Sequence, residues 1–183
     1  MRYIKLFEGF EKSDWENVRQ NIDDMLSAEL RDIGFVYDIY YSQREKSLMS
    51  SKGETVITLI VLKDTENDEN NDPNHPDWND GDLNQLAWRN RGAFDLSLVY
   101  EPVAFVVDYL KDKYGRYERY LASRVDGFNV KYTYTTPKPE YGPSKRIELG
   151  SYELANLDKL NVRTYNRKTF IGTAFTIEIK IWD

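Results

Sequence analysis

The stretch from Asp64 to Asp82, DTENDENNDPNHPDWNDGD, gathers more hard oxygen ligands than any other part of this 183-residue chain. Asp64, Glu66, Asp68, Glu69, Asp72, Asp77, Asp80 and Asp82 are its carboxylates, and no Lys or Arg lies between Lys63 and Arg89. Carboxylate and amide oxygens at such density suit Ca²⁺, which takes six to eight oxygen ligands. The spacing is not that of an EF-hand. Counted from Asp77, Gly81 falls one place too early for the invariant glycine, and Trp88 stands where the bidentate Glu belongs. Two other readings compete: a solvated loop, which such a run most often is, and an acidic arm that docks on a basic surface of a neighbour, with Trp78 as an apolar anchor. Structureless connections this long, 64–92 in all, are uncommon in compact domains and tend to be functional or disordered.

Other reactive groups are few. His75 is the only histidine, and it sits between Asn74 and Pro76 inside the acidic run, where no neighbouring element fixes a pose for a general base. Two-histidine phosphoesterases, HExxH metalloproteases and zinc deaminases are excluded by count. With no cysteine there is no disulfide, no thiolate nucleophile and no Cys-ligated zinc. Neither a Gly-x-x-x-x-Gly-Lys-Ser/Thr phosphate loop nor a Gly-x-Gly-x-x-Gly turn is present. Carboxylate-only chemistry stays open, because its residues are too common to locate by spacing. The expectation is a non-enzymatic protein without a cofactor, Ca²⁺ at the acidic run being the one candidate.

Charge is distributed unevenly. Residues 1–110 carry 11 Lys and Arg against 22 Asp and Glu, a balance of −11, whereas residues 111–183 carry 14 against 9, a balance of +5. A molecule polarised in this way can set its acidic end against the basic end of a neighbour, a heterologous contact that closes as a ring or propagates as a stack. Lys145, Arg146, Arg163, Arg167 and Lys168 are the expected receiving surface for the acidic arm. With Tyr132, Tyr134 and Lys131 they also have the composition of single-strand nucleic-acid binders. The net charge of −6 opposes a polyanion, so nucleic acid is not the expected partner.

The elements that must carry these groups are legible in outline. Thr55–Leu62 is the longest apolar run, rich in β-branched residues, and reads as the centre of a sheet covered on both faces. Ser13 and Glu16 form a capping box, and Trp15, Val18, Ile22, Met25, Leu26, Leu30 and Ile33 recur at helical spacing, predicting a helix over 13–33 stopped by Gly34. Phe35–Gln43 pairs with the central run as a hairpin. Ala93–Tyr100 alternates as a strand. Pro102 opens a second helix that runs to about residue 125. Phe128–Thr136, Arg146–Tyr152, Asn161–Tyr165 and Ala174–Trp182 are the remaining strands, the last one exposed to pairing with another chain if it lies at an edge. Gly34-Phe35 and Gly127-Phe128 each introduce an aromatic-rich strand, a pattern that a duplicated α+β layer or shared helix-to-strand grammar would both produce. The expected fold is a single α+β domain over 1–183, mainly antiparallel, packed by helices at 13–33 and 102–125. No apolar run approaches the roughly 20 residues a spanning helix needs.

The opening residues Met1-Arg2-Tyr3-Ile4-Lys5-Leu6-Phe7-Glu8-Gly9-Phe10 resemble the start of many small proteins of T4-like tailed bacteriophages. In that group a basic-aromatic-x-Phe peptide directs proteins into the prohead, and a processing protease cuts after Leu-x-Glu, a pattern that Leu6-Phe7-Glu8-Gly9 matches. The resemblance implies a virion or assembly protein of the head, neck, tail or baseplate, found in the virion or the host cytoplasm, whose partners are its own copies or other phage proteins. The alternative it leaves is a small accessory protein that binds a host protein or a nucleotide-like ligand.

Overall fold

The computed structural model describes residues 15–44, 53–64, 92–117, 125–139, 141–159 and 168–182. They form one α+β domain whose main sheet is antiparallel throughout. Five strands lie in the order β1 (Phe35–Arg44), β2 (Glu54–Lys63), β9 (Ala174–Trp182), β6 (Phe128–Thr135) and β7 (Arg146–Glu148). Three helices accompany it: α1 (Trp15–Arg31), α2 (Ser97–Tyr114) and α3 (Ser151–Leu157). Two small ribbons complete the description, β3 (Phe94–Asp95) with β8 (Ile171–Gly172), and β4 (Arg116–Tyr117) with β5 (Val125–Asp126).

The core lies on one face of the sheet. Val18, Ile22, Leu26 and Leu30 of α1 and Val99, Val103, Val106 and Leu110 of α2 are all buried. They meet Phe35 of β1, Ile57, Leu59 and Val61 of β2, and Phe175, Ile177, Ile179 and Ile181 of β9. Each strand reaches this core with alternate residues, as the two-residue period requires. Polar ties fix the helices on the sheet. Asn21 Nδ2 donates to the Tyr109 hydroxyl at 2.8 Å, linking α1 to α2. Tyr37 donates its phenolic proton to the Asp23 carboxylate at 2.5 Å, linking β1 to α1. Trp15 stacks on Tyr41 with ring centroids 4.7 Å apart.

Several expectations change. The run at Thr55–Leu62 is neither the middle strand nor covered on both sides. Thr55, Ile57, Leu59 and Val61 are buried, while Val56, Thr58, Ile60 and Leu62 stay half-exposed. The middle position belongs to β9, so the last strand completes the protein's own sheet and is not an edge. Ala93–Tyr100 is a strand only at Phe94–Asp95. The Asp95 carboxylate accepts the Ser97 N–H at 3.0 Å and turns the chain into α2, five residues before Pro102. Pro102 is therefore inside the helix, where it has no N–H for the Leu98 carbonyl. Leu98, expected on a buried strand face, is exposed. The same helix ends at Tyr114, not near 125, because Gly115 turns extended (φ −71°, ψ 135°) and leads into β4. Ile33 falls beyond the last turn of α1 and is half out in solvent. The strand expected over Arg146–Tyr152 splits into β7 and α3, whose start is closed by Glu153 accepting the Gly150 N–H at 3.1 Å. Gly34 and Gly127 both take positive φ (80° and 74°), which glycine alone adopts without cost. Gly34 follows a helix and Gly127 follows β5, and β1 and β6 occupy different places in the sheet. The capping Ser13, the strand expected at Asn161–Tyr165 and Met1–Phe10 lie outside the described residues.

Two measurements check this packing. Leu26→Ala removes a fully buried side chain between helix and sheet, and lowers unfolding free energy in urea by about 2–5 kcal/mol, whereas Ile33→Ser changes it by no more than about 0.5 kcal/mol. Burial, then the Asp23 hydrogen bond and charge, push the Tyr37 phenol from 10.0 up to about 12. Its folded value exceeds its unfolded one, so its contribution is complete below pH 10.0 and fades as pH rises towards about 12. Melting curves over that range lose less stability in Tyr37→Phe than in the unaltered protein.

Candidate interaction surface

The helices that contact the core leave the opposite face of the sheet without a helical cover among the described residues. Strand register assigns its rows. Asp38, Ile60, Thr176, Thr133 and Glu148 lie side by side across all five strands. Tyr40, Thr58, Glu178 and Lys131 form the next row, then Ser42, Val56, Lys180 and Asn129. Val36 pairs with Leu62 beyond the first row.

Chemistry divides this open face in two. On the β1–β2 side it is apolar and wet: Val36 is 42% exposed, Tyr40 is 55% exposed, and Val56, Ile60 and Leu62 are half-buried. On the β9–β6–β7 side it is ionic. Lys131 Nζ meets Glu148 at 2.7 Å, and Lys180 Nζ meets Glu54 at 3.1 Å and Glu178 at 3.7 Å. The Lys180–Glu54 hydrogen bond raises the Lys180 pKa above 10.5. Arg146 Nε donates to the Thr133 hydroxyl at 2.9 Å, and that hydroxyl donates to the Thr176 carbonyl at 3.5 Å. Lys131, Thr133, Arg146, Glu148 and Glu178 line a shallow depression of about 260 Å³. Two carboxylates face it beside two cations, so a polyphosphate entering there meets as much repulsion as attraction.

The edges of the sheet differ as well. Asp64 donates its N–H to the Gly34 carbonyl at 2.9 Å, extending the β1–β2 ladder by one pair. Hydrogen-bonded pairs alternate along an antiparallel ladder. Val36, Asp38, Tyr40 and Ser42 therefore turn their N–H and C=O groups towards β2, and the residues between them turn theirs away from it. The same rule holds on the far side, where Leu149 bonds to Tyr132 and Thr136 to Lys145. Among the described residues no strand lies beyond β1. That edge is ten residues long, with an unbroken register and no proline or bulge. The other edge, β7, has three residues and follows a loop holding Pro137, Pro139 and Pro143.

Of the residues expected to form a site from sequence, Asp64 is placed: half-buried, with its backbone closing the β1–β2 ladder. Glu66, Asp68, Glu69, Asp72, Asp77, Trp78, Asp80 and Asp82 lie outside the described residues, as do His75, Arg163 and Arg167. Of the basic set, Lys145, Arg146 and Lys168 are described. Arg146 is on the open face. Lys145 is exposed at the mouth of the β6–β7 loop, its N–H bonded to the Thr136 hydroxyl at 3.0 Å. Lys168 sits by α3, its ammonium 5.7 Å from the Tyr152 ring centroid and its N–H 3.5 Å from Asn156 Oδ1. Tyr132 and Tyr134 point towards the core, against Phe175 and Phe170 respectively, and so are not a base-stacking platform on the wet side. Among the described residues no group of three or more His, Asp or Glu is arranged to hold a metal ion, and no helix is long and apolar enough to cross a membrane. Sequence reasoning missed the open face because it assigned both sides of β2 to the interior. The signal was available in Thr58, a polar residue in mid-run.

No protein-family model, curated protein or solved structure matches this chain.

The ionic half of the face is partly exposed, so its pairs contribute little to folding. Lys180→Met changes stability at neutral pH by less than about 1 kcal/mol, read from urea melts at low salt. The difference is present below pH 10.5 and vanishes as Lys180 deprotonates above it.

Proposed function

We propose that this protein is a non-enzymatic bacteriophage assembly component, a subunit of a head, neck, tail or baseplate structure, that works by making directional protein–protein contacts. It resides in the virion, or in the host cytoplasm before incorporation. The observation that carries the reading is the one-sided sheet: an apolar band at Val36, Tyr40, Val56, Ile60 and Leu62 abuts an ionic band, so one surface offers both adhesion and orientation. Apolar area supplies affinity and the flanking charges select the pose. The uneven charge of the two halves and the phage-like opening Met1–Phe10 support the same reading. Its partners are further copies of itself or other phage proteins.

Light scattering at low and high salt, together with mass spectrometry of purified particles, tests it. The expected result is an assembly larger than one chain at low salt, partly dissociated at high salt, and the protein present in the particle. A protein that stays monomeric at every salt concentration and is missing from the particle ends the proposal.

A further inference from the structure

We infer that the outer face of α2 on one copy of this chain receives the β6–β7 loop of the next, a head-to-tail contact between copies. The inference rests on the assembly reading and adds to it a contact away from the open sheet face.

Helix α2 buries one side, through Val99, Val103, Val106 and Leu110, and turns another to solvent. Leu98, Glu101, Phe105 and Asp108 follow at spacings of three, four and three residues, so they form one stripe over about three turns. Leu98 is 45% exposed and Phe105 is 61% exposed. Glu101 is half-buried and Asp108 is exposed. Apolar side chains this far into water, set among charges on one face, mark a contact surface. Glu101 and Asp108 are the only charges from Ser97 to Leu110, and Lys111, Asp112 and Lys113 follow at the helix end. A stripe whose charges are both acidic repels its own copy across a two-fold axis. Its occupant brings apolar surface flanked by positive charge.

The chain itself carries that complement. The β6–β7 loop is closed at its base: the Thr136 N–H donates to the Lys145 carbonyl at 2.8 Å, and the Lys145 N–H donates to the Thr136 hydroxyl at 3.0 Å. Pro137, Pro139 and Pro143 fix their own φ angles, and Gly142 takes the turn at φ 106°. Tyr141 stands 86% exposed on this stiff loop. A tyrosine held in that way supplies contact area with little ordering left to do, which is what an interface anchor needs. Lys138 and Lys145 flank it in sequence, are exposed, and form no ion pair among the described residues. Over 138–146 three cations stand against Glu140, which lies outside the described residues. Set on α2, the Tyr141 ring packs between Leu98 and Phe105. The two lysines then reach Glu101 and Asp108, about 10 Å apart along the helix axis. Each copy carries both surfaces, and both stay exposed within it. The contact is therefore heterologous, and each copy passes it on into a ring or a stack.

A head-to-tail contact has a signature that an isologous one lacks. We would measure mass by sedimentation over a dilution series at low salt for four samples: the unaltered chain, Phe105→Ser, Tyr141→Ser, and an equimolar mixture of the two variants. The unaltered chain is expected to assemble beyond two copies. Each variant alone keeps a native circular dichroism spectrum, since the altered side chain is exposed, and its dissociation constant rises at least about tenfold. The mixture forms dimers and stops there, because the intact face of Tyr141→Ser meets the intact loop of Phe105→Ser and no further contact is left. Charge exchange checks the rim. Asp108→Lys and Lys145→Asp each weaken association at least about threefold, and the two in one chain restore it. Four outcomes overturn the inference: a monomer at every concentration, an assembly that neither serine variant changes, a mixture that stays monomeric, or a charge-exchanged chain as weak as its two single changes combined. Binding of the α2 face to another particle protein, with no self-association, also overturns it. An assembly indifferent to Phe105 and Tyr141 leaves the assembly reading standing and removes this one. A head-to-tail assembly that never enters a particle does the reverse.

Discussion

The architecture depends on one constraint: the main sheet has two faces, and the helices that contact its core cover one. Everything apolar and fully buried in β9, from Phe175 to Ile181 in steps of two, points to α1 and α2. What points the other way is threonine, glutamate, lysine and tryptophan. β9 occupies the middle of the sheet although it is the last strand in the chain. It pairs with β2 on one side and β6 on the other, so Leu59 meets Ile177 and Tyr132 meets Ile177 across long sequence separations. The loop-closure entropy of those pairings is spent before their contacts reward it, a topology that slows folding. Helix α1 and the β1–β2 hairpin are local by comparison.

The same one-sidedness explains why the polar groups of the open face are arranged as they are. Thr133 and Thr176 are buried on the side without a helical cover among the described residues, and the Arg146 side chain lies on Thr133. The hydroxyl of Thr133 is satisfied twice, as acceptor from Arg146 and donor to the Thr176 carbonyl. This half of the face is therefore finished. The β1–β2 half is not: Val36, Tyr40, Val56, Ile60 and Leu62 dominate it, with Asp38, Ser42 and Thr58 between them, and its rim residues Val36 and Tyr40 are exposed. A surface of that kind does little for the folding of its own chain and much for association. The contrast between a finished ionic half and an unfinished apolar half is the physical basis for placing contacts there and not in the depression by Arg146.

Some of this was legible in residue order, and the reasons are specific. The stripe Val18, Ile22, Leu26, Leu30 has one period only, and a helix follows from it. The alternation Phe175, Ile177, Ile179, Ile181 likewise permits only a strand with one buried side. The hairpin of β1 and β2 and the stop at Gly34 follow from local chemistry that tertiary contacts do not override. Ala93–Tyr100 shows the limit. Its alternation was real, but the Asp95 carboxylate lay beside the Ser97 N–H, and that local bond started a helix whose 3.6-residue period fits Val99, Val103, Val106 and Leu110 equally well.

The sequence by itself determined the class of fold, the identity of most core residues, and the absence of thiol and paired-histidine chemistry, because composition and period are properties of the chain alone. Only the tertiary structure decided the order of the strands and, through it, which residues share a surface. Burial on the second face of β2 and the inward turn of Tyr132 and Tyr134 both depend on what lies across the sheet. A two-residue period fixes which side of a strand a residue takes. It carries no information about whether a helix, another strand or water stands opposite, and that is set by long-range packing.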